Sequence, residues 1–171
     1  MHALLVALRL IHILLGVFWA GTIFFMALFL EPSVRAAGPD GAKVMQGLMQ
    51  RRYFNIMPLI ALLTILSGLA LYWHVSGGLE PTWMRSRLGM SLTFGAVAAM
   101  VGFVIGVFVM RPIALRLFAL GPAAQQLPEG PEKAAAMAEL QRLRGRAMVS
   151  GRWVAALLGV AVTGMAVARY L

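Results

Sequence analysis

Four long stretches without a charged residue restrict what this chain can fold into. They cover residues 10–30, 53–79, 88–110 and 153–168. The first, LIHILLGVFWAGTIFFMALFL, has 21 residues and the third has 23, whereas the fourth has only 16 between two arginines. About 20 apolar residues cross the hydrocarbon core of a bilayer as a helix, and terminal arginines can reach the interface from a shorter one. The sequence therefore predicts an all-α integral membrane four-helix bundle.

Composition excludes an ordinary soluble domain. Apolar residues make up 61% of the 171 residues, and charged residues make up 12%, against roughly 25% in soluble domains. We predict a single transmembrane domain over residues 1–171, with short interfacial helices in the cytoplasmic loops. The predicted spans are 5–30, 54–74, 88–111 and 151–170, and the predicted loop helix is 131–148.

The basic residues predict an orientation. Residues 31–53 and 111–152 together carry eleven lysines and arginines, whereas residues 75–87 carry two. Loops rich in lysine and arginine stay in the cytoplasm, so both termini are expected to be periplasmic. The formal charge of +9 is then explained by loops that face anionic lipid. We predict a lipid bilayer as partner, and no nucleic acid.

The chain also shows a loose internal repeat, which raises the alternative of two tandem helical hairpins. FLEPSVRAAGP at the end of the first span matches VMRPIALRLFALGP at the end of the third, so that Pro32 corresponds to Pro112. In the second and fourth spans, Ser67-Gly68 corresponds to Thr163-Gly164. Small-residue pairs recur in any helix-packing face, so shared ancestry and simple packing both remain open.

Histidines are the main candidates for a cofactor site. His12 lies 20 residues before Pro32, and His74 lies 22 residues after Arg52. At 1.5 Å per residue these separations are about 30 Å and 33 Å, which places both imidazoles near the outer interface on adjacent helices. Two imidazoles at one depth are what a b-type haem requires for axial ligation. The sequence predicts haem b as cofactor, with His12 and His74 as its iron ligands.

Neighbouring residues suit the same site. Gly16 lies one turn below His12 and would let a flat macrocycle approach. Arg9, one turn above His12, and Arg87, in the outer loop, are candidates to hold the haem propionates. The predicted role is electron transfer or another haem- or porphyrin-related redox role, with a quinone or a periplasmic redox partner.

Other interpretations stay open. His74 follows Tyr72 and Trp73, which is typical of an aromatic belt at a membrane interface. His12 could be a structural residue between helices. Twelve methionines together with imidazole also suit copper, so copper transport or handling is an alternative. A third possibility is a cofactor-free accessory subunit of a membrane complex, or a homo-oligomer.

Signatures of enzymes are absent from the sequence. There is no cysteine, no phosphate-binding glycine loop, no serine–histidine constellation and no dinucleotide fingerprint. All six acidic residues are expected in loops, namely Glu31, Asp40, Glu80, Glu129, Glu132 and Glu139. If the chain is an enzyme, it is expected to be an oxidoreductase that uses bound haem.

The segment IHILLGVFWAGTIFFMALFLEP resembles the copper-resistance-D-type superfamily of small bacterial membrane proteins, which includes the HemJ-like protoporphyrinogen oxidases. The resemblance covers mainly residues 9–32 and implies a bacterial inner-membrane location. In the HemJ-like enzymes the matching histidine is associated with haem, a role that carries over to His12. Their third span opens with a lysine, where this chain has Arg87, which argues against protoporphyrinogen oxidase activity. The copper branch implies copper handling at the outer face, again with His12 as the matching residue.

Overall fold

The computed structural model describes residues 2–171, which form helices joined by short turns and contain no strand. The chain begins with α1 (His2–Phe25), a π-helical turn (Met26–Leu30) and α2 (Glu31–Ala36) in one continuous rod. The following helices are α3 (Pro39–Gln50), α4 (Tyr53–Val75) and α5 (Pro81–Met84). The third long rod comprises α6 (Arg87–Ile105), a second π-helical turn (Gly106–Met110) and α7 (Arg111–Gln126). The last is α8 (Pro131–Val167), followed by a 3₁₀ turn (Ala168–Tyr170).

Four of these rods are long and apolar enough to cross a membrane. They cover His2–Ala36, Tyr53–Val75, Arg87–Gln126 and Pro131–Tyr170. This confirms the prediction of an all-helical chain with four candidate spans.

The third and fourth rods are much longer than predicted. Each has 40 residues, which corresponds to about 60 Å of helix, twice the roughly 30 Å of a bilayer core. The predicted loop helix 131–148 is not a separate interfacial element, because α8 runs without a break from Pro131 to Val167. Residues 148–151 contain no proline, and one glycine is not enough to end a helix. Charged residues mark where the apolar surface ends, not where the helix ends.

The four rods pack as two antiparallel pairs, α1 with α4 and α6 with α8. A shared core joins the pairs through a cluster of buried side chains: Trp19, Ala20, Ile23, Ala61, Val154 and Leu158. Outside the apolar region α7 packs against the first half of α8 and buries Ile113 and Leu143. The long rods therefore continue as a helical hairpin beyond one end of the bundle.

Both π-helical turns stand directly before a charged residue and a proline. Proline lacks an amide hydrogen, and its ring clashes with the carbonyl of the fourth residue before it. In the first rod the amide of Glu31, just before Pro32, donates to Met26 O. In the third rod the amide of Arg111, just before Pro112, donates to Gly106 O in the same way. The two halves of the predicted repeat thus share one backbone feature, a wider turn that accommodates the proline.

Close backbone approach determines the pairing of α6 with α8. A Cβ added at Gly164 would lie 3.1 Å from the carbonyl oxygen of Ser91, and one at Gly95 would lie 3.1 Å from that of Ala161. The Ser91 hydroxyl donates to the Gly164 carbonyl at 2.8 Å. Small residues let helices approach closely where hydrocarbon provides no hydrophobic drive.

We predict opposite effects for alanine at two glycines. Gly164→Ala should lower the free energy of unfolding by about 1–3 kcal/mol, because a backbone carbonyl cannot move aside easily. Gly145→Ala on the same helix is the control: no atom lies within 4 Å of its added Cβ, and helix propensity should raise stability by about 0.5–1 kcal/mol. Thermal unfolding in detergent measures both, and equal shifts would contradict the packing described here.

Candidate functional site

His12 is the one histidine that the structure places inside a helix pair. Its side chain is half-buried, and Nδ1 lies 2.8 Å from the carbonyl oxygen of Thr64 on α4. A carbonyl can only accept, so Nδ1 carries the hydrogen and donates it. In the neutral ring Nε2 then keeps its lone pair. Within residues 2–171 Nε2 has no hydrogen-bond partner.

Gly68 makes room for the imidazole. A Cβ added there would lie 2.7 Å from His12 Cε1 and 3.0 Å from Nδ1, closer than unbonded atoms approach. Gly16 faces α4, because a Cβ at that position would lie 3.4 Å from Thr64 Cγ2, and its role beside a macrocycle stays a prediction. Gly16 therefore brings α1 close to α4, and Gly68 accommodates the imidazole.

Two hydroxyls that the sequence did not assign to the site, those of Thr64 and Ser67, surround this contact. The Thr64 hydroxyl donates to the Ile60 carbonyl at 2.9 Å, and the Ser67 hydroxyl donates to the Leu63 carbonyl at 2.7 Å. Ser67 also lies 3.0 Å from the carbonyl that accepts from His12. Both side chains are buried and return their hydrogen bonds to their own helix. The sequence signal for this contact was the spacing of Thr64 and Ser67, two small polar residues one helical turn apart in the second span.

His74 lies farther along α4 than the residues that contact His12. His74 is exposed near the end of α4, six residues beyond Gly68. Six residues correspond to about 9 Å along the helix and about 240° around it. The expectation of equal depth assumed that Pro32 and Arg52 lie at one level. The packing of the imidazole over Gly68 determines the level of His12 instead.

The remaining predicted residues lie on the surface of the same end of the bundle. Arg9 is exposed, three residues before His12 on α1. Arg87 is exposed at the first position of α6, where Ser86 caps the helix by accepting from the Gly89 amide at 3.0 Å. Contact of Arg9 or Arg87 with a propionate stays a prediction. His2 is exposed at the first position of α1.

The expectation that every acidic residue lies in a loop is wrong: Asp40 lies in α3, and Glu132 and Glu139 lie in α8. The departure that matters for packing is Glu31. This residue is half-buried within the first rod, and a Cβ at Gly151 of α8 would lie 3.9 Å from its Oε2. The wide turn before Pro32 keeps the chain helical through this position, so that the carboxylate faces another helix. A glutamate directly before a proline, at the end of an apolar stretch, was the only sequence signal.

Neither cavity described in the structure is lined by His12 or His74. One is a narrow apolar cleft of about 70 Å³ beside Trp19, Phe103 and Met57. Arg111 closes its edge by donating to the Phe54 carbonyl at 3.3 Å and to Asn55 Oδ1 at 3.0 Å. Among residues 2–171 no three side chains of histidine, cysteine, aspartate or glutamate form a group that could hold a metal ion.

Comparison with known proteins gives no match: no protein-family model, no curated protein and no solved structure is similar to this chain. The resemblance carried by residues 9–32 therefore stays a prediction. The function has to be argued from the site itself.

We predict that Gly68→Ala displaces the imidazole. The added Cβ forces His12 away from the Thr64 carbonyl, and the loss of that hydrogen bond should cost about 0.5–1.5 kcal/mol of unfolding free energy. In a His12→Ala background the same substitution should cost little. A double-mutant cycle by thermal unfolding measures the difference. Equal costs in both backgrounds would show that the glycine serves another contact.

The loop before Arg87 should respond to pH through Glu80. Hydrogen bonds from the Thr82 hydroxyl first, and then from the Trp83 and Thr82 amides, hold the pKa of Glu80 below its ordinary value of 4.5. A lowered folded-state pKa means that the stabilisation is present above the unfolded-state pKa and is lost as the pH falls through the folded-state pKa. Wild type should therefore be more stable than Glu80→Gln at pH 7, with the difference shrinking below about pH 4.5. Melting temperatures of both proteins over pH 3–7 check this, and a constant difference would contradict it.

Proposed function

We propose that this chain is a membrane protein that binds haem b through His12 and carries single electrons. One observation supports the proposal most strongly: Nδ1 donates to the Thr64 carbonyl, so that Nε2 keeps its lone pair. Metal-bound histidines generally donate their second nitrogen to a carbonyl or a carboxylate, which fixes the tautomer and the ring orientation.

The residues around His12 fit such a ligand. The imidazole packs directly against Gly68, where a larger side chain would displace it, and His12 stays partly exposed. The hydrogen bond to Thr64 also increases the basicity of Nε2, which favours the oxidised state of a bound metal. The haem would supply one-electron redox chemistry, which no side chain of this cysteine-free chain supplies.

The proposal has two forms, which differ in whether a second histidine binds the haem iron. Within one chain His74 lies about 9 Å beyond Gly68 on another face of α4. Bis-histidine ligation would therefore require His74 from a second copy of the chain, as in a homo-oligomer. The simpler form is a haem with His12 as its one protein ligand. Arg9 and Arg87 are placed at the same end and would pair with the propionates.

Location and orientation follow from the charges. We propose the inner membrane of a bacterium, with both termini periplasmic and a quinone or periplasmic protein as redox partner. The basic residues of the two long loops support this orientation, because the positive-inside rule retains such loops in the cytoplasm.

A second candidate is a cofactor-free subunit of a larger membrane complex. His12 would then act only as a polar contact between α1 and α4. The specific observation in its favour is the large exposed side chains along α6 and its π-helical turn, where Phe94 and Phe108 are each 71% exposed. Lipid or a partner helix would cover them. Copper handling has no comparable support from the geometry.

The experiment is an absorption spectrum of the full chain, made in haem-replete cells and purified in detergent, before and after dithionite reduction. We expect a Soret band in wild type, its loss in His12→Ala, and its retention in the control His2→Ala. A featureless wild-type spectrum, or full haem in His12→Ala, would contradict the proposal.

His74→Ala separates the two forms of ligation. If His12 is the only protein ligand, the variant keeps wild-type haem content and the high-spin spectrum of a five-coordinate haem. If a second copy provides His74, wild type is low-spin and the variant becomes high-spin. Size-exclusion chromatography with light scattering then shows whether the haem-loaded form is an oligomer.

A further inference from the structure

A polar cleft lies between the first rod and α8, at the end of the bundle opposite His12. Its volume is about 350 Å³, which falls in the range of roughly 300–1,000 Å³ typical of small-molecule pockets. Glu31 and Arg35 line one wall and Met148 and Arg152 line the other, with Ala27 on the apolar side. The cleft thus places three charged side chains beside the apolar residues Ala27, Pro32, Ala36 and Met148.

Helical spacing builds the two walls. Glu31 and Arg35 lie four residues apart on the first rod, and Met148 and Arg152 lie four residues apart on α8, so each pair shares one face of its helix. Arg35 Nη1 reaches across to Met148 Sδ at 3.3 Å and bridges the two walls. Two guanidinium groups and one carboxylate therefore line one space.

Glu31 does not neutralise these arginines directly. Glu31 takes part in none of the ion pairs within 4.0 Å among residues 2–171. Its carboxylate turns instead toward the backbone of α8 at Gly151. The cleft thus presents separate positive and negative groups, with room for a polar molecule between them.

This arrangement matches a molecule that carries a phosphate diester and an ammonium group. Guanidinium groups bind phosphate oxygens through paired hydrogen bonds, and a carboxylate accepts hydrogen bonds from an ammonium group. An anionic phosphate with no cation would satisfy the arginines but leave Glu31 without a partner. A quaternary ammonium has no N–H to donate.

The position of the cleft indicates a lipid rather than a soluble molecule. Glu31 directly follows the uncharged stretch 10–30, and Arg152 directly precedes the stretch 153–168. Lipid headgroups lie where apolar helix surface gives way to charged residues. The neighbouring Trp153 is 62% exposed, as expected of an aromatic side chain at that level. We propose that the cleft binds the headgroup of phosphatidylethanolamine, with phosphate on Arg35 and Arg152 and ammonium on Glu31.

Native mass spectrometry of the full chain in detergent tests this proposal. The probes are dioleoyl phosphatidylethanolamine, phosphatidylglycerol and phosphatidylcholine at equal concentration. We expect phosphatidylethanolamine to bind about tenfold more tightly than phosphatidylcholine, a ratio typical of one charge-assisted hydrogen bond. Soluble glycerophosphoethanolamine at the same concentration should not displace the bound lipid.

Three variants assign the contacts. Arg152→Gln should weaken phosphatidylethanolamine binding about tenfold. Glu31→Gln should abolish its preference over phosphatidylcholine. Arg144→Gln is the matched control, because Arg144 is exposed on the same helix and does not line the cleft, and its binding should equal that of wild type. Circular dichroism checks that each variant is folded, and Arg152→Gln, at an exposed position, provides the test if Glu31→Gln does not fold.

Several results would overturn the assignment. Equal wild-type binding of phosphatidylethanolamine and phosphatidylcholine would remove the ammonium contact, and tighter binding of phosphatidylglycerol would show a site for anionic lipid. An unchanged preference in Glu31→Gln, or unchanged binding in Arg152→Gln, would place the lipid elsewhere. Displacement by glycerophosphoethanolamine would indicate a soluble ligand. None of these results depends on haem, since His12 lies about 28 Å away along the first rod.

Discussion

A backbone placed in hydrocarbon has no water to satisfy its amides and carbonyls, and the four long apolar helices of this chain meet that constraint. Helices satisfy these groups internally, so the apolar stretches become rods whose only freedom lies in how they pack. Within lipid the hydrophobic effect contributes little to the association of helices. Close packing of backbones at small residues drives that association instead. At Gly164 the backbone of Ser91 makes the approach and the Ser91 hydroxyl donates to the Gly164 carbonyl, whereas at Gly68 the His12 imidazole packs against the glycine. The possible chemistry of the chain arises from that difference.

The two π-helical turns follow from the same constraint. A proline within a membrane helix removes one donor and crowds one carbonyl, and a wider turn relieves the clash while keeping neighbouring groups bonded. In this chain the wider turn also rotates the following residue relative to a regular helix. Glu31 therefore faces α8, and Arg111 reaches back to the carbonyl of Phe54 on α4. The same π-helical turn thus places a charged side chain between helices in each half of the molecule.

The sequence was sufficient to predict four apolar helices, because their length and freedom from charge leave few alternatives. It was insufficient for their ends, since arginine and glutamate are good helix formers and α8 continues through them. Counting residues along the first span was also not enough to predict the depth of His12. A count from Arg52 places His74 correctly near the end of α4, but only the packing over Gly68 determines which residues His12 faces. Thr64 contributes a backbone carbonyl to the site, and a carbonyl leaves no signature in a sequence.

The hydrogen bond of His12 has two consequences that point in different directions. It satisfies one nitrogen between two helices, which is enough to explain a structural histidine. A purely structural contact, however, needs only one polar group, and a serine provides it at the corresponding glycine of the second pair. An imidazole in the first pair adds a second nitrogen, directed away from the bonded carbonyl and free of hydrogen bonds in the described structure. A structural role does not require that additional nitrogen. A metal ligand does require it, because one nitrogen binds the metal while the other donates a hydrogen bond.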